Sequence, residues 1–307
     1  MRNMLHKLAP RLNGFFSRQE LALIGVTVIW GATFLIVHTA VGTTGPLFFV
    51  GVRFVAAGLL AMLIFRRALR GMTRMELIAG SAIGVTIFLG YSLQTYGLQT
   101  INSSTSAFLT ALYVPMVPLI LWLLLRQPPR TMAWVGIGLS FIGLILLAGP
   151  NALQVGPGRG EIATLISAAA IAVEIILIGR YAPKVDSSRV TVVQLMVGGL
   201  LSFATMPVVG EAVPAFSWVW LVAGTGLGVA SMVIQLTMNW AQKSVAPTKA
   251  TIIYASEPVW AGIIGRIAGE RLPALAILGA VFIVAGVIVS ELKLRRRRTN
   301  NQPTAAV

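Results

Sequence analysis

The sequence contains no cysteine. That excludes disulfides, thiolate metal sites and cysteine nucleophiles. Histidine is almost as scarce: His6 and His38 stand far apart and unaccompanied, which gives no basis for a metal site. Charge is thin as well. Asp, Glu, Lys and Arg make up 11% of the 307 residues, against about 25% in an ordinary soluble domain. No activated serine and no convergent acid–base cluster can be read from the chain, so no enzyme site is expected. "GPGRGE" at 156–161 lacks the Lys-Ser/Thr and the preceding strand of a phosphate loop, and no cofactor is expected.

What is present is apolar. Hydrophobic residues make up 56% of the chain, the mean hydropathy is +0.84, and the long runs between charges point to an all-α integral membrane protein. A bilayer core takes about 20 apolar residues per helix. By that measure spans fall near 21–41, 46–65, 76–97, 103–125, 131–148, 161–179, 190–208, 217–239, 247–268 and 273–291. The basic arm before the first run is followed by too long an apolar stretch for a signal peptide, so the first helix reads as a retained anchor.

Ten spans place both termini on one side. That side receives Arg2, Lys7, Arg11 and Arg18, then Arg66, Arg67, Arg70 and Arg74, then Arg126 and Arg130. Arg180, Lys184, Arg189, Lys243, Lys293 and Arg295 to Arg298 follow, against Arg159 and Arg271 opposite. The positive-inside rule then makes both termini cytoplasmic. The net charge of +15 is thus spread along helix flanks, not gathered into a basic, aromatic-studded groove, and nucleic acid is not an expected partner.

A shift of 143 overlays "GLQTINSSTSAFLTALYVPMVPLI" from Gly97 on "WAQKSVAPTKATIIYASEPVWAGI" from Trp240. Gln99 meets Gln242, Ala107 meets Ala250, Pro115 meets Pro258, Gly136 meets Gly279 and Gly143 meets Gly286. With a shift of 141, Glu20 meets Glu161 and "GLL" at 58–60 meets "GLL" at 199–201. Two five-helix halves follow, and five being odd, they are inverted relative to each other. Inverted repeats are a recurring plan of secondary transporters, with substrate held near the midplane. The organisation reads as a basic arm (1–19), a first repeat (20–148), a linker (149–160), a second repeat (161–291) and a basic tail (292–307) that reads as disordered.

"WGATF" at 30–34, Pro46, "RF" at 53–54, Ala57 and "SEPVWAGIIGRIAGERL" at 256–272 resemble the drug/metabolite transporter superfamily, specifically its EamA-type ten-helix exporters. The likeness runs from about residue 20 to 291. It implies ten helices with cytoplasmic termini, a central cavity, and export of small metabolites or drugs by alternating access. "IAVEIILIGRY" at 171–181 also looks like the first helix of the small multidrug resistance transporters, whose membrane glutamate binds a proton or a cationic drug; Glu174 is the matching residue.

The residues themselves leave alternatives. Glu174 lies about fourteen residues into its span, roughly 21 Å deep at ~1.5 Å per residue. Desolvation favours the neutral form of a carboxyl group, which suits proton exchange; pairing with a neighbouring helix for packing would serve as well. Glu257 stands before Pro258, which can open a helix, and suits either a substrate amine or a structural role; Pro115 is the matching helix break. Lys249 either snorkels to the surface or bridges to Glu257. Arg53 offers a planar fork to a substrate carboxylate, or neutralises a buried glutamate. Trp30, Tyr91, Gln94 and Tyr113 could line an amphipathic cavity for an aromatic or zwitterionic solute, with packing as the plainer role for Trp30 and Tyr113. Gln235 and Asn239 mirror this cluster. Tyr96 and Trp240 suit an aromatic belt.

The leading expectation is therefore a multi-pass exporter of the cell membrane that takes amino acids, related metabolites or drugs. Its partners would be a small molecule and the lipid bilayer, as a monomer or homodimer. The alternative is a passive facilitator or carrier of lipid-like substrates, with Glu174 structural.

Overall fold

A computed structural model describes residues 16–41, 44–101, 103–126, 128–148, 158–267 and 274–291. Residues 1–15, most of the linker and the tail from 292 lie outside the described residues, as do their basic side chains. All regular structure among the described residues is helical.

The first five helices are α1 (Arg18–Val41), α2 (Pro46–Ile64), the short α3 (Arg66–Leu69), α4 (Arg74–Gly97) and α5 (Ser103–Thr110). Next come α6 (Tyr113–Leu125), α7 (Thr131–Ala148) and α8 (Arg159–Tyr181), which a 3-10 turn extends over Ala182–Lys184. The remainder are α9 (Ser187–Val209), α10 (Trp218–Ala241), α11 (Pro247–Tyr254), α12 (Glu257–Ile267) and α13 (Ala274–Glu291). By length and composition α2, α4, α8 with its extension, α9 and α10 can each cross a membrane. Phe108–Leu124, Thr131–Leu146 and Ile277–Ser290 are shorter apolar stretches.

Local chemistry explains the boundaries. Pro46 opens α2, where a missing N–H costs nothing. Thr73 and Glu76 form a reciprocal capping box on α4: Glu76 N donates to Thr73 Oγ1 (3.2 Å) and Thr73 N to Glu76 Oε2 (2.7 Å). Asp186 caps α9 by accepting from the amides of Ser188 and Arg189. α9 ends at Gly210, whose φ of 73° is the left-handed conformation that glycine adopts without a Cβ clash.

The two apolar runs expected at 103–125 and 247–268 are each broken in two. The break falls at Ala111–Leu112 between α5 and α6, and at Ala255–Ser256 between α11 and α12. Each proline follows its break: Pro115 is the third residue of α6 and Pro258 the second of α12. They start new helices rather than kink old ones, because a proline in the first turn forfeits no intrahelical bond.

Small residues set how the helices meet. A Cβ built on Gly136 would fall 2.7 Å from the carbonyl oxygen of Gly286, and one on Gly143 2.6 Å from that of Gly279. One on Gly58 would strike Met196, and one on Gly199 would strike Val55. So α7 crosses α13, and α2 crosses α9, in antiparallel pairs. Val52 packs over Gly224 and Ala56 over Gly228, which makes α2 and α10 parallel; Val193 over Gly80 and Val197 over Gly84 do the same for α4 and α9. Such approaches are favoured where lipid gives helices no hydrophobic reason to associate.

The alternation leaves Arg66, Arg67, Arg70, Arg126, Arg130, Arg180, Lys184 and Lys243 at one end of the bundle, hereafter the basic face. There Arg189 binds the Glu76 carboxylate at 3.2 Å and the Ala68 carbonyl at 2.7 Å, tying α9 to α4 and α3. Among the described basic residues, Arg159 starts α8 at the opposite face.

These contacts make Gly143→Ala destabilising by about 1–3 kcal/mol, since the added methyl overpacks a backbone contact. Gly138, with nothing within 4 Å of its built Cβ, is the control. Thermal unfolding in detergent should show a lower midpoint for Gly143→Ala and little change for Gly138→Ala.

Candidate functional site

α8 is apolar along most of its length, and Glu174 is its one acidic residue beyond the first turn. The side chain is 2% exposed. A carboxylate so placed needs a donor from the protein, and α10 supplies it: Gln235 Nε2 donates to Glu174 Oε1 at 2.8 Å. Gln235 accepts in turn from Gln194 Nε2 of α9 at 2.7 Å. Asn239, one turn below Gln235, donates to Gln194 Oε1 (3.1 Å) and to Thr191 Oγ1 (2.9 Å). The partner of Glu174 on the neighbouring helix is therefore an amide rather than a cation.

Glu174 also borders a cavity of about 50 Å³ at the centre of the bundle. That is room for a few waters, whereas organic ligands occupy pockets of about 300–1,000 Å³. The cavity as it stands is too small for an organic solute. Its wall includes Trp30 and Thr33 of α1, Arg53 of α2, Tyr91 and Gln94 of α4, Tyr113 of α6, and Glu257 of α12. The candidates Glu174, Glu257, Arg53, Trp30, Tyr91, Gln94 and Tyr113 thus converge on one space, although they come from six helices.

Arg53 is 5% exposed. Its Nε donates to Ser231 Oγ of α10 at 2.6 Å. The guanidinium lies 5.3 Å from the Phe54 ring centre and 5.1 Å from that of Tyr91, a cation–π arrangement on two rings. Among the described residues, neither Arg53 nor the two cavity glutamates takes part in an ion pair. A buried guanidinium and two carboxyl groups consequently border the same cavity without neutralising one another. Glu257 opens α12, where the helix dipole favours an anion.

Aromatic edges complete the wall. Trp30 meets Tyr254 edge to face at 5.1 Å, and Phe54 meets Tyr91 at 4.9 Å. Gln94 Nε2 donates to Thr110 Oγ1 at 3.1 Å, holding α4 to the last residue of α5 beside the helix break. Tyr96 and Trp240 are 38% and 41% exposed, as an aromatic belt requires.

Lys249 is placed elsewhere. It forms an ion pair with Glu20, at the first turns of α11 and α1, and is absent from the cavity wall. The bridge to Glu257, one of the two roles open to Lys249, gives way to this one: Ser17 N donates to Glu20 Oε2 at 2.8 Å, which holds the carboxylate at the basic face within reach of Lys249. The signal was present in "SRQE" at 17–20, a Ser-x-x-Glu capping box.

Three residues outside the sequence candidates matter here. Tyr254 is fully buried and accepts from Gln242 Nε2 at 3.3 Å, and its ring packs against Trp30 of the cavity wall. Gln194, legible as the shift-141 mate of Arg53, joins Gln235 to Asn239. Ser231 carried no pattern that would single it out from other serines in apolar helices.

The family model described as the EamA-like transporter family matches the chain twice, over residues 18–149 and 158–292. An uncharacterized transporter of Archaeoglobus fulgidus is 28% identical over 276 residues, covering 90% of this chain and 86% of its own. The uncharacterized inner membrane transporter YedA of Escherichia coli is 29% identical over 279 residues, covering 88% and 90%. The uncharacterized transporter YoaV of Bacillus subtilis is 24% identical, covering 91% and 98%. A crystal structure of a protein 18% identical to this one superposes with a TM-score of 0.73, covering 89% of this chain and 97% of that one, and so shares its fold.

The helix that presents Arg53 is anchored from outside its own sequence. Glu211, in the turn after α9, accepts from Leu47 N at 3.1 Å and Phe48 N at 2.7 Å, satisfying two amides of the first turn of α2. Glu211→Ala should lower stability by about 0.5–2 kcal/mol, the usual loss of a helix cap. Glu211→Gln, which keeps the acceptor oxygen, should recover part of it. Detergent unfolding and amide exchange at Leu47 and Phe48 would measure both.

Proposed function

We propose, given that this chain belongs to the EamA-like transporter family, that it is a secondary active exporter of small polar metabolites or drugs working by alternating access. The chain is a multi-pass membrane protein, as the family and its long apolar helices require. The reading counts ten crossings, taking α5–α6 and α11–α12 each as one interrupted span. It takes the halves as inverted repeats. The paired contacts support that: 58 with 196 and 55 with 199 exchange under a shift of 141, and 136 with 286 and 143 with 279 exchange under 143. The repeat is also in keeping with the two family matches.

The crowding of basic residues at one face supports cytoplasmic termini, and the Escherichia coli relative carries the words inner membrane in its name. One chain supplies both halves of a pathway, so a monomer suffices.

The observation that carries the proposal is the cavity among the helices, bordered by Arg53 on one helix and by Glu174 and Glu257 on two others, between aromatic walls. An aqueous or exchangeable site in the middle of an apolar bundle is the usual place for intramembrane ionisable groups. A solute with a carboxylate for Arg53 and an amine for a glutamate, such as an amino acid or a related compound, fits that charge pattern. Discontinuous helices beside a midplane site are a recurring device of transporters. Glu174, bonded on one side to a neutral amide and facing the cavity on the other, is the residue placed to exchange a proton for substrate.

The test uses purified protein in liposomes with pH gradients of both signs and a panel of amino acids, aromatic metabolites and cationic dyes. Gradient-driven transport of at least one of them is expected, and Glu174→Gln at equal protein abundance should reduce it to the level of protein-free liposomes. Unchanged gradient-driven transport in Glu174→Gln would sink the coupling role. Equal transport with and without the gradient would establish a passive facilitator instead.

A further inference from the structure

Three carboxamides run from Glu174 toward the basic face, and each donates an N–H toward the carboxylate. Asn239 donates to Gln194, Gln194 to Gln235, and Gln235 to the carboxylate, at 3.1, 2.7 and 2.8 Å. At the far end Asn239 also holds Thr191, whose hydroxyl donates to the Ser187 carbonyl at 2.7 Å. Glu174, Gln235, Gln194, Asn239 and Thr191 are at most 2% exposed. They belong to α8, α9 and α10, so the chain stitches three helices together in the half of the bundle nearest the basic face.

Chemistry gives the chain a direction. An ionised carboxylate only accepts hydrogen bonds, whereas a protonated one gains a donor and loses acceptor strength. Bonds to a charged partner are about twice as strong as neutral ones, and aligned amides polarise one another toward the charge. The ionised form of Glu174 is therefore the state the chain is built to receive. Its distal end is incomplete: among the described residues, Asn239 Oδ1 and Ser187 Oγ are buried without a partner. Buried polar groups seldom stay unpaired, so water entering from the basic face would satisfy them and compete with the stitches.

The geometry points to Gln235, Gln194 and Asn239 as positioning residues that link the charge on Glu174 to closure of the basic face. This rests on the proposed role of Glu174 as the exchanging carboxyl. With Glu174 ionised, the chain is tight, α8, α9 and α10 are held together, and that face is shut. With Glu174 protonated, the terminal bond weakens, water replaces the amide contacts, and the basic face opens. Among the described residues the other half has no equivalent chain: Gln94, at the place of Gln235 under a shift of 141, donates to Thr110 instead. The places of Gln194 and Glu174 are taken by Arg53 and Thr33 at a shift of 141, and Arg53 stacks on Tyr91 rather than joining an amide chain. One face alone then responds to the carboxyl's charge.

The titratable and charged groups turned toward Glu174 are few. They are Tyr91 from α4 and Tyr254 from α11, with Tyr113 of α6, Arg53 of α2 and Glu257 of α12 on the cavity wall. Tyrosines and arginine keep their protons near neutral pH, which leaves Glu257 as the competing carboxyl. From α10 the neighbour is the neutral Gln235.

The absence of native cysteine makes a clean reporter possible. Ser187 is buried at the basic end of the chain and its hydroxyl has no partner, so Ser187→Cys removes no bond. The experiment follows maleimide modification of this full-length variant in detergent, with rates divided by those of the same protein unfolded at each pH to remove the thiol's own titration. Between about pH 8 and about pH 5.5 the normalised rate should rise about fivefold or more, the scale of turning one hydrogen bond to a charged group into a neutral one. Adding Glu174→Gln should fix the rate at its fast, acid-like value at every pH. Adding Gln194→Leu or Asn239→Leu should also remove the pH response, while Glu257→Gln should keep it; Gln235→Leu stands in if either leucine variant is not monodisperse.

A wild-type pH response in the leucine variants, or slow modification in Glu174→Gln, would overturn the inference. So would loss of the response in Glu257→Gln. A flat response in the presence of gradient-driven transport removes this inference alone. A normal response without any gradient-driven transport removes the coupling role proposed above and leaves the latch standing.

Discussion

A polar group inside an apolar bundle must be satisfied by the protein, because no water is there to do it. Much of this structure follows from that constraint. Arg53 is met by a serine hydroxyl and two aromatic faces, and Glu174 by a glutamine. That glutamine needs a second amide for its own oxygen, and the second amide needs a third. One carboxyl group thus recruits side chains from three helices, and its placement decides which helices are held together and which are left to move.

The same constraint acts on the backbone. Where a helix is interrupted, as at Ala111–Leu112 and Ala255–Ser256, the freed groups lie inside the bundle rather than against its outer surface: Ala111 is 4% and Ala255 1% exposed. Both interruptions lie close to the cavity, since Thr110 and Tyr113 flank one, Glu257 follows the other, and all three line the wall. Irregular backbone at that depth is tolerated where it is buried in protein or borders a polar space. The cavity and the breaks are consequences of one another.

Much of this was legible in the sequence. Apolar run lengths located the helices, and Thr131–Ala148 agrees with its expected bounds to the residue. The sites were legible wherever an ionisable or amide side chain interrupted an apolar run, because such residues are rare there and each must be explained: Glu174, Arg53, Gln94 and Gln235 are of this kind. What could not be read was the choice of partner. Lys249 could be read as snorkelling or as bridging to Glu257, and it pairs instead with Glu20, 229 positions away, whose carboxylate a capping box holds in place. The helix breaks were half visible. Pro115 and Pro258 marked their neighbourhood, yet a proline signals only that a helix cannot continue through it from the N-terminal side, and the actual gaps fall two to four residues earlier.

The contact between α7 and α13 has a mechanical meaning. Gly136 lies against the backbone of Gly286 and Gly143 against that of Gly279, at opposite ends of one antiparallel crossing. Sliding either helix would bring a side chain to a place where only hydrogen fits, so the two contacts fix both the axial position and the tilt of the pair. α7 and α13 therefore travel as a single strut. A change of shape elsewhere would carry this pair as one piece, a fixed axle beside the helices that move.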